Sequence, residues 1–149
     1  MFDYVKQGDC RDIIIDNMDA EAHVTSGTWE TAATSDGNGS YGEDFLYHLA
    51  DQTNIARVRF TFTIPAAGVY TVYIYWSAAE NRTASQPVVV HDANGDTTYY
   101  VNLRQNGNRW YELGSHEFNA GTGGYVEFNT NTTSEGFCNA DAVRLTSEF

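Results

Sequence analysis

Residues 55–76 have the sequence IARVRFTFTIPAAGVYTVYIYW, and this stretch decides the fold class. It contains two runs of alternating apolar and polar residues, separated by the turn sequence PAAG at 65–68. Side chains alternate across a β-strand, so each run predicts a strand with one buried face. The short connection favours pairing of the two runs as an antiparallel hairpin. The residues expected to face inward are Ala56, Val58, Phe60, Phe62, Ile64, Tyr70, Val72, Ile74 and Trp76.

The outer face of the second run is aromatic, because Tyr73 and Tyr75 alternate with the inward residues. Rings of this size are unusual on a surface that meets only water. Two interpretations stay open: the tyrosines cover a neighbouring element, or they form a platform for a ligand.

Short alternating segments recur along the chain between turn signals, and no segment shows a helical period. Asn94-Gly95 lies between two such segments and is a strong hairpin signal. The pattern predicts an all-β protein, an antiparallel β-sandwich of jelly-roll type with about ten short strands. The sandwich is expected to occupy residues 13–149 as one domain. Residues 1–12 would form an N-terminal extension, either a disordered tail or a donor strand for a neighbouring sheet.

The chain is strongly acidic, with 8 Lys and Arg against 20 Asp and Glu and a formal net charge of −12. Such a surface repels phosphate backbones and anionic lipids, so no nucleic-acid partner is expected. A polyanionic glycan is disfavoured unless a cation bridges it. No run of 18 apolar residues is present, so no membrane insertion is expected. Abundant Tyr, Thr, Asn and Gly are typical of secreted β-proteins, which favours an extracellular or cell-surface location.

The sequence contains no recognisable catalytic motif. Gly-x-Ser-x-Gly is missing, the four histidines are scattered, and no His-x-x-x-His or Cys-x-x-Cys spacing occurs. The chain is therefore expected not to be an enzyme.

The order of several motifs resembles a known family, the carbohydrate-binding-like β-sandwich domain of golvesin and of the ends of xanthan lyases. The similarity covers residues 13–146. It is carried by IIIDN (13–17), GTWET (27–31), SYGEDFLY (40–47), the hairpin sequence (59–76), Asn81-Arg82, VVVHDANGDTTYYVN (88–102), Trp110 and ADAVRL (140–145). The resemblance implies a non-catalytic module attached to proteins that act on polysaccharide.

Residue chemistry suggests which side chains would contact a sugar. Aromatic rings stack on the C–H faces of sugars, while amides and guanidinium groups bind hydroxyls. The candidates are Tyr73, Tyr75, Asn81, Arg82, Tyr100, Arg104, Asn106, Trp110 and Tyr111. Trp76 shares a face with Val72 and Ile74 and is expected in the core instead. The alternative for Arg82 is an ion pair with one of the many acids.

No cofactor is required, but a structural calcium ion is a further hypothesis. Calcium takes six to eight oxygen ligands, this chain is rich in them, and jelly-roll sugar-binding domains often hold one structural calcium near the chain ends. The candidate ligands are Asp16, Asp19, Glu43, Asp44 and Asp141. Asp92-x-Asn94-x-Asp96 resembles the start of a calcium loop but lacks the later ligands, which favours a hairpin turn.

The two cysteines, Cys10 and Cys138, suggest a second function. If the first and last strands pair with Ile14 near Val143, the cysteines lie roughly 30 Å apart, beyond the reach of a disulfide. An internal disulfide would require residues 1–12 to fold back. Otherwise the thiols are free, or Cys10 of one molecule meets Cys138 of the next, and this intermolecular disulfide is favoured over an internal one. The chain would be a self-assembling subunit of an extracellular filament or coat, its partners copies of itself. The sequons at Asn38, Asn81 and Asn131 predict N-glycosylation.

Overall fold

The computed structural model describes residues 12–33 and 44–147, which form twelve β-strands and contain no helix. No segment of these ranges is therefore a helix that could cross a membrane. The strands are β1 (Asp12–Asp16), β2 (Ala22–Ser26), β3 (Glu30–Ala33), β4 (Asp44–Leu49), β5 (Arg57–Thr61), β6 (Gly68–Tyr75), β7 (Gln86–Asp92), β8 (Gly95–Val101), β9 (Tyr111–Phe118), β10 (Tyr125–Asn129), β11 (Phe137–Ala140) and β12 (Ala142–Ser147).

The strands form three antiparallel sheets. The four-stranded sheet has the order β1-β12-β6-β9, and the five-stranded sheet has the order β2-β5-β10-β7-β8. These two sheets enclose a core of buried aliphatic and aromatic residues, which confirms the predicted sandwich. A smaller sheet, β11-β4-β3, carries the candidate site described below.

The predicted hairpin between residues 55–64 and 69–76 is wrong in its pairing. β5 lies in the five-stranded sheet, while β6 lies in the four-stranded sheet. After β5 the chain forms a bridge at Ile64 with Gly121 and then crosses the core. The predicted inward faces are nevertheless buried, including Trp76 at 1% exposure. Alternation indicates which face of a strand is buried. That face is buried equally well when the next strand crosses to the opposite sheet and when it forms a hairpin in the same sheet.

The first and last strands pair antiparallel, as predicted, with the register shifted by one residue. Ile14 lies opposite Arg144, and Ile15 lies opposite Val143. The fully buried Asp141 separates β11 from β12, which belong to different sheets.

The β7–β8 hairpin is confirmed, with Ala93 and Asn94 as its loop because Asp92 pairs with Gly95. Asp92 Oδ2 lies 2.7 Å from Nδ1 of the buried His116, whose Nε2 lies 2.8 Å from the hydroxyl oxygen of Tyr99. Asp96 is paired with His91. The acidic residues of this hairpin are thus engaged by histidines, in agreement with a structural turn.

Candidate functional site

The candidate site is an open pocket of about 520 Å³ beside the three-stranded sheet, which we call the β4–β11 pocket. Phe45 and Tyr47 lie two residues apart on β4 and so share one face of that strand. Phe137 begins β11, and a loop between β6 and β7 forms the opposite wall. The lining residues are Ala32, Phe45, Tyr47, Ala79, Glu80, Asn81, Arg82 and Phe137.

Three aromatic rings form one side of this pocket. Tyr47 and Phe137 meet nearly at right angles with ring centroids 5.4 Å apart, and Phe45 lies 6.3 Å from Tyr47. Glu80 and Asn81 are exposed on the other side. The pocket therefore combines apolar ring surface with an amide and a carboxylate, the combination that a sugar ring requires for its C–H groups and its hydroxyls.

Backbone hydrogen bonds join the two walls of the pocket. Phe137 N donates to Asn81 O at 2.9 Å, and Thr83 N donates to Phe137 O at 2.9 Å. Arg104 Nε donates to Arg82 O at 2.7 Å and so braces the same loop. Gly136 makes this close approach possible, because a Cβ at this position would lie 2.6 Å from the carbonyl carbon of Arg82. The pocket is thus held open by the fold before any ligand arrives.

Arg82 forms part of the pocket wall and is only 6% exposed. Its Nε donates to Ser77 O at 2.8 Å, one terminal nitrogen donates to Asn81 Oδ1 at 2.6 Å, and the other donates to Ser77 Oγ at 3.3 Å. Its guanidinium carbon lies 5.1 Å from the centre of the Phe45 ring. Burial lowers the pKa of Arg82 from the usual arginine value, because the cation has lost its water shell.

Three other candidate residues lie together on the outer face of the four-stranded sheet. Tyr75 and Trp110 meet edge to face with centroids 5.5 Å apart. The Arg144 guanidinium lies 5.2 Å from the Tyr73 ring centre and 5.9 Å from that of Trp110, and it pairs with Asp12 at 3.1 Å. Burial, and then the charge of Asp141, raises the pKa of Tyr75. The outward tyrosines are thus partly covered by neighbouring side chains, including Arg144.

The remaining candidates are spread over the molecule. Tyr111 packs against the core, 5.1 Å from Trp76, because the β6–β9 register shifts between Val72 and Tyr73. Tyr100 is 66% exposed on β8, at an edge of the five-stranded sheet.

Asn106 adopts a positive φ of 61° in the turn before β9. Only Asn81 and Arg82 of the predicted residues line the β4–β11 pocket, with Arg104 bracing it. Sequence reasoning missed Tyr47 and Phe137 as site residues, although the alternation of Phe45 and Tyr47 was a usable signal.

The acidic residues proposed for calcium are only partly assembled. Asn17 Nδ2 donates to Asp44 Oδ1 at 2.7 Å, and Asn17 N donates to the carbonyl oxygen of Asp141 at 2.8 Å. Asp16 Oδ1 and Asn17 Oδ1 are buried without a hydrogen-bond donor, as atoms facing a cation would be. Within 12–33 and 44–147, however, no three carboxylate, histidine or cysteine side chains are arranged to hold a metal ion, and Glu43 lies outside these ranges. Calcium stays a prediction, with Asp16, Asn17 and Asp44 the residues that fit it.

Asp16 is expected to make stability depend on pH. Burial first, and then the charges of Asp19 and Asp44, raises the pKa of Asp16 from 3.8 to about 6. Between these values the folded state holds more protons than the unfolded state, so stability falls as pH rises through this window. In EDTA, Asp16→Asn should raise the free energy of unfolding by about 1 kcal/mol near pH 7, because solvent partly screens this partly exposed group. Near pH 4 the same substitution should change the free energy of unfolding little.

Urea unfolding of both proteins at the two pH values tests this expectation, and repeating it with calcium tests the metal. If calcium binds there, the same substitution should destabilise the protein in calcium. Equal stabilities of the two proteins near pH 7 in EDTA would contradict the raised pKa.

The burial of Cys138 contradicts the predicted intermolecular disulfide with Cys10. This residue is a free thiol with 0% exposure, so it cannot meet Cys10 of another molecule at the surface. Cys10 and the sequon at Asn38 lie outside the described residues. Asn81 and Asn131 are exposed, and their glycosylation stays a prediction.

Comparison with known proteins gives consistent matches. Xanthan lyase from Bacillus sp. (strain GL1) is 36% identical over 135 residues, which cover 89% of this chain and 14% of that protein. A Paenibacillus xanthan lyase structure matches with a TM-score of 0.87 and 34% identity, over 97% of this chain and 14% of that one. The chain thus spans 14% of the length of these relatives.

A family 35 carbohydrate binding module from Clostridium thermocellum has the same fold, with a TM-score of 0.67 at 17% identity over 91% of this chain and 98% of that one. The model of the Golvesin C-terminal domain family matches residues 13–147. The chain belongs to the Golvesin C-terminal domain family.

Proposed function

We propose that this domain is a non-catalytic module that binds polysaccharide in the β4–β11 pocket. The observation that carries the proposal is the pair of perpendicular rings, Tyr47 and Phe137, facing exposed polar groups across an open pocket of about 520 Å³. A volume of this order accepts a small ligand, and its mixed lining suits a sugar ring.

The relatives support this choice of ligand. Both are xanthan lyases by name, and the fold is shared with a carbohydrate binding module. Xanthan is therefore the first polysaccharide to test. A module that binds an extended polysaccharide is expected to work outside the cell or at its surface.

Tyr47→Ala is expected to weaken polysaccharide binding about tenfold, because it removes one ring worth roughly 1.4 kcal/mol of stacking. Affinity electrophoresis in gels containing xanthan, mannan or hydroxyethylcellulose measures the effect. Tyr73→Ala, on the outer face of the four-stranded sheet, is the matched control and should leave retardation unchanged. Circular dichroism establishes that both variants are folded.

The reverse pattern would assign the site to the outer face. Retardation lost in Tyr73→Ala and kept in Tyr47→Ala would show that the tyrosine platform is the binding surface. No retardation of the unaltered protein by any polysaccharide would contradict the proposed function itself.

Self-assembly of the chain stays a prediction. A disulfide through the buried Cys138 can no longer be the link between its copies. Sedimentation of the intact chain with and without reductant would test it. No contact between described residues favours this second function, so polysaccharide binding is the stronger proposal.

A further inference from the structure

Within the described residues, no acid balances the charge of Arg82. No carboxylate of the described residues lies within salt-bridge distance of its guanidinium group, and its three hydrogen-bond partners are the neutral oxygens of Ser77 and Asn81. Elsewhere in the described residues, the buried Glu127 is paired with Arg59, and Asp92 lies 2.7 Å from Nδ1 of His116. Burying an unpaired cation is costly, so an unpaired arginine in a pocket wall points to an anion from outside.

The number of free donors fits a carboxylate. A guanidinium group has five N–H donors, and Arg82 uses three of them. One N–H therefore remains on each terminal nitrogen, and the two oxygens of a carboxylate can accept from both.

The position of Arg82 is fixed before binding. Ser77 and Asn81 hold the three engaged donors, and Phe45 lies against the guanidinium plane at 5.1 Å. Little side-chain entropy is then lost when a ligand docks. Glu80 lines the same pocket, and its negative charge would repel any ligand carboxylate that is not paired with Arg82.

We propose that the β4–β11 pocket selects an acidic sugar, with the sugar carboxylate paired to Arg82 and the sugar ring against Tyr47 and Phe137. This inference rests on the proposed function and narrows its ligand class. The net charge of −12 repels an acidic polysaccharide at long range. Salt screens this repulsion beyond about 10 Å, whereas it screens an ion pair at contact in a buried pocket much less.

The test compares ligands that differ only in the acid. Polygalacturonate, alginate and hyaluronate are each used before and after carbodiimide–borohydride reduction of their carboxylates to alcohols, and the neutral mannan and hydroxyethylcellulose are run beside them. Binding to the unaltered chain is measured by affinity electrophoresis in EDTA at about 0.15 M salt. At least one acidic form should bind about tenfold or more tightly than its reduced counterpart, as expected for a hydrogen-bonded charge pair.

Arg82→Lys keeps the positive charge and loses the two-point geometry, so it should lower this preference several-fold. Arg109→Lys is the matched control, because Arg109 is exposed and bonds only to Asn106 in its own turn. The comparison of acidic with reduced polysaccharides uses the unaltered chain. It therefore tests the preference for an acidic sugar even if Arg82→Lys does not fold.

Equal binding of acidic and reduced forms would overturn this inference while leaving the proposed function intact. An undiminished preference in folded Arg82→Lys would also overturn it. Failure to bind any polysaccharide, acidic or neutral, would refute the proposed function and this inference with it.

Discussion

Gly136→Ala is expected to destabilise the domain by about 3 kcal/mol and to abolish polysaccharide binding. Gly136 has a φ of +119°, a region that side chains strongly disfavour. An added Cβ would also lie 2.6 to 2.8 Å from backbone atoms of Asn81 and Arg82, which have no flexible end that could move aside. The loop would have to leave β11, and the pocket walls would separate. Urea unfolding and affinity electrophoresis measure the two effects.

Gly123→Ala is the matched control for this substitution. A Cβ at Gly123 would meet nothing within 4 Å, so its stability should stay within about 0.5 kcal/mol of the unaltered protein. A Gly136→Ala protein as stable as this control would show that the close approach of loop and strand is not required.

The thiol of Cys138 is expected to react roughly a thousandfold more slowly with iodoacetamide in the folded protein than in urea. Burial raises the pKa of this thiol from 9.0 to about 12, so the reactive thiolate is about three orders of magnitude scarcer at a given pH. The side chain is also fully buried, which adds a steric barrier. The rate is measured by mass spectrometry in a Cys10→Ser variant, which leaves Cys138 as the single thiol.

The same variant tests for covalent joining of copies. A disulfide-linked dimer of Cys10→Ser, or labelling as fast as in urea, would contradict the buried and unreactive Cys138. Iodoacetamide labelling in rising urea should follow global unfolding, and far-ultraviolet dichroism provides the independent comparison.

Sequence alternation was sufficient to predict the buried faces, because burial of one face is the constraint that produces a period of two. It did not identify strand partners. The runs at 55–64 and 69–76 face each other across the core, and their pattern is the same as that of a hairpin. Tyr111 was misplaced for a related reason: a register shift in the β6–β9 pair is a property of two strands and is not encoded in either one alone.

The candidate site was only half predictable. Asn81 and Arg82 were selected for their chemistry, and both line the pocket. Tyr47 and Phe137 are 90 positions apart in the chain and meet only because β4 pairs with β11. The burial of Arg82 without a described acid in salt-bridge distance also depends on this assembly. An arginine in an acidic sequence ordinarily suggests an ion pair, which the structure does not provide within the described residues.

The pairing of β1 with β12 has a mechanical consequence. Because Asp12 lies directly opposite Thr146, the start of β1 and the end of β12 lie side by side at one edge of the sheet. Tension applied through a longer host protein or a tethered matrix would load the hydrogen bonds of this pair one after another, as in opening a zipper, rather than all together in shear. The domain should therefore yield at low force, beginning with the release of β1, and would act as an extensible link in a stretched assembly.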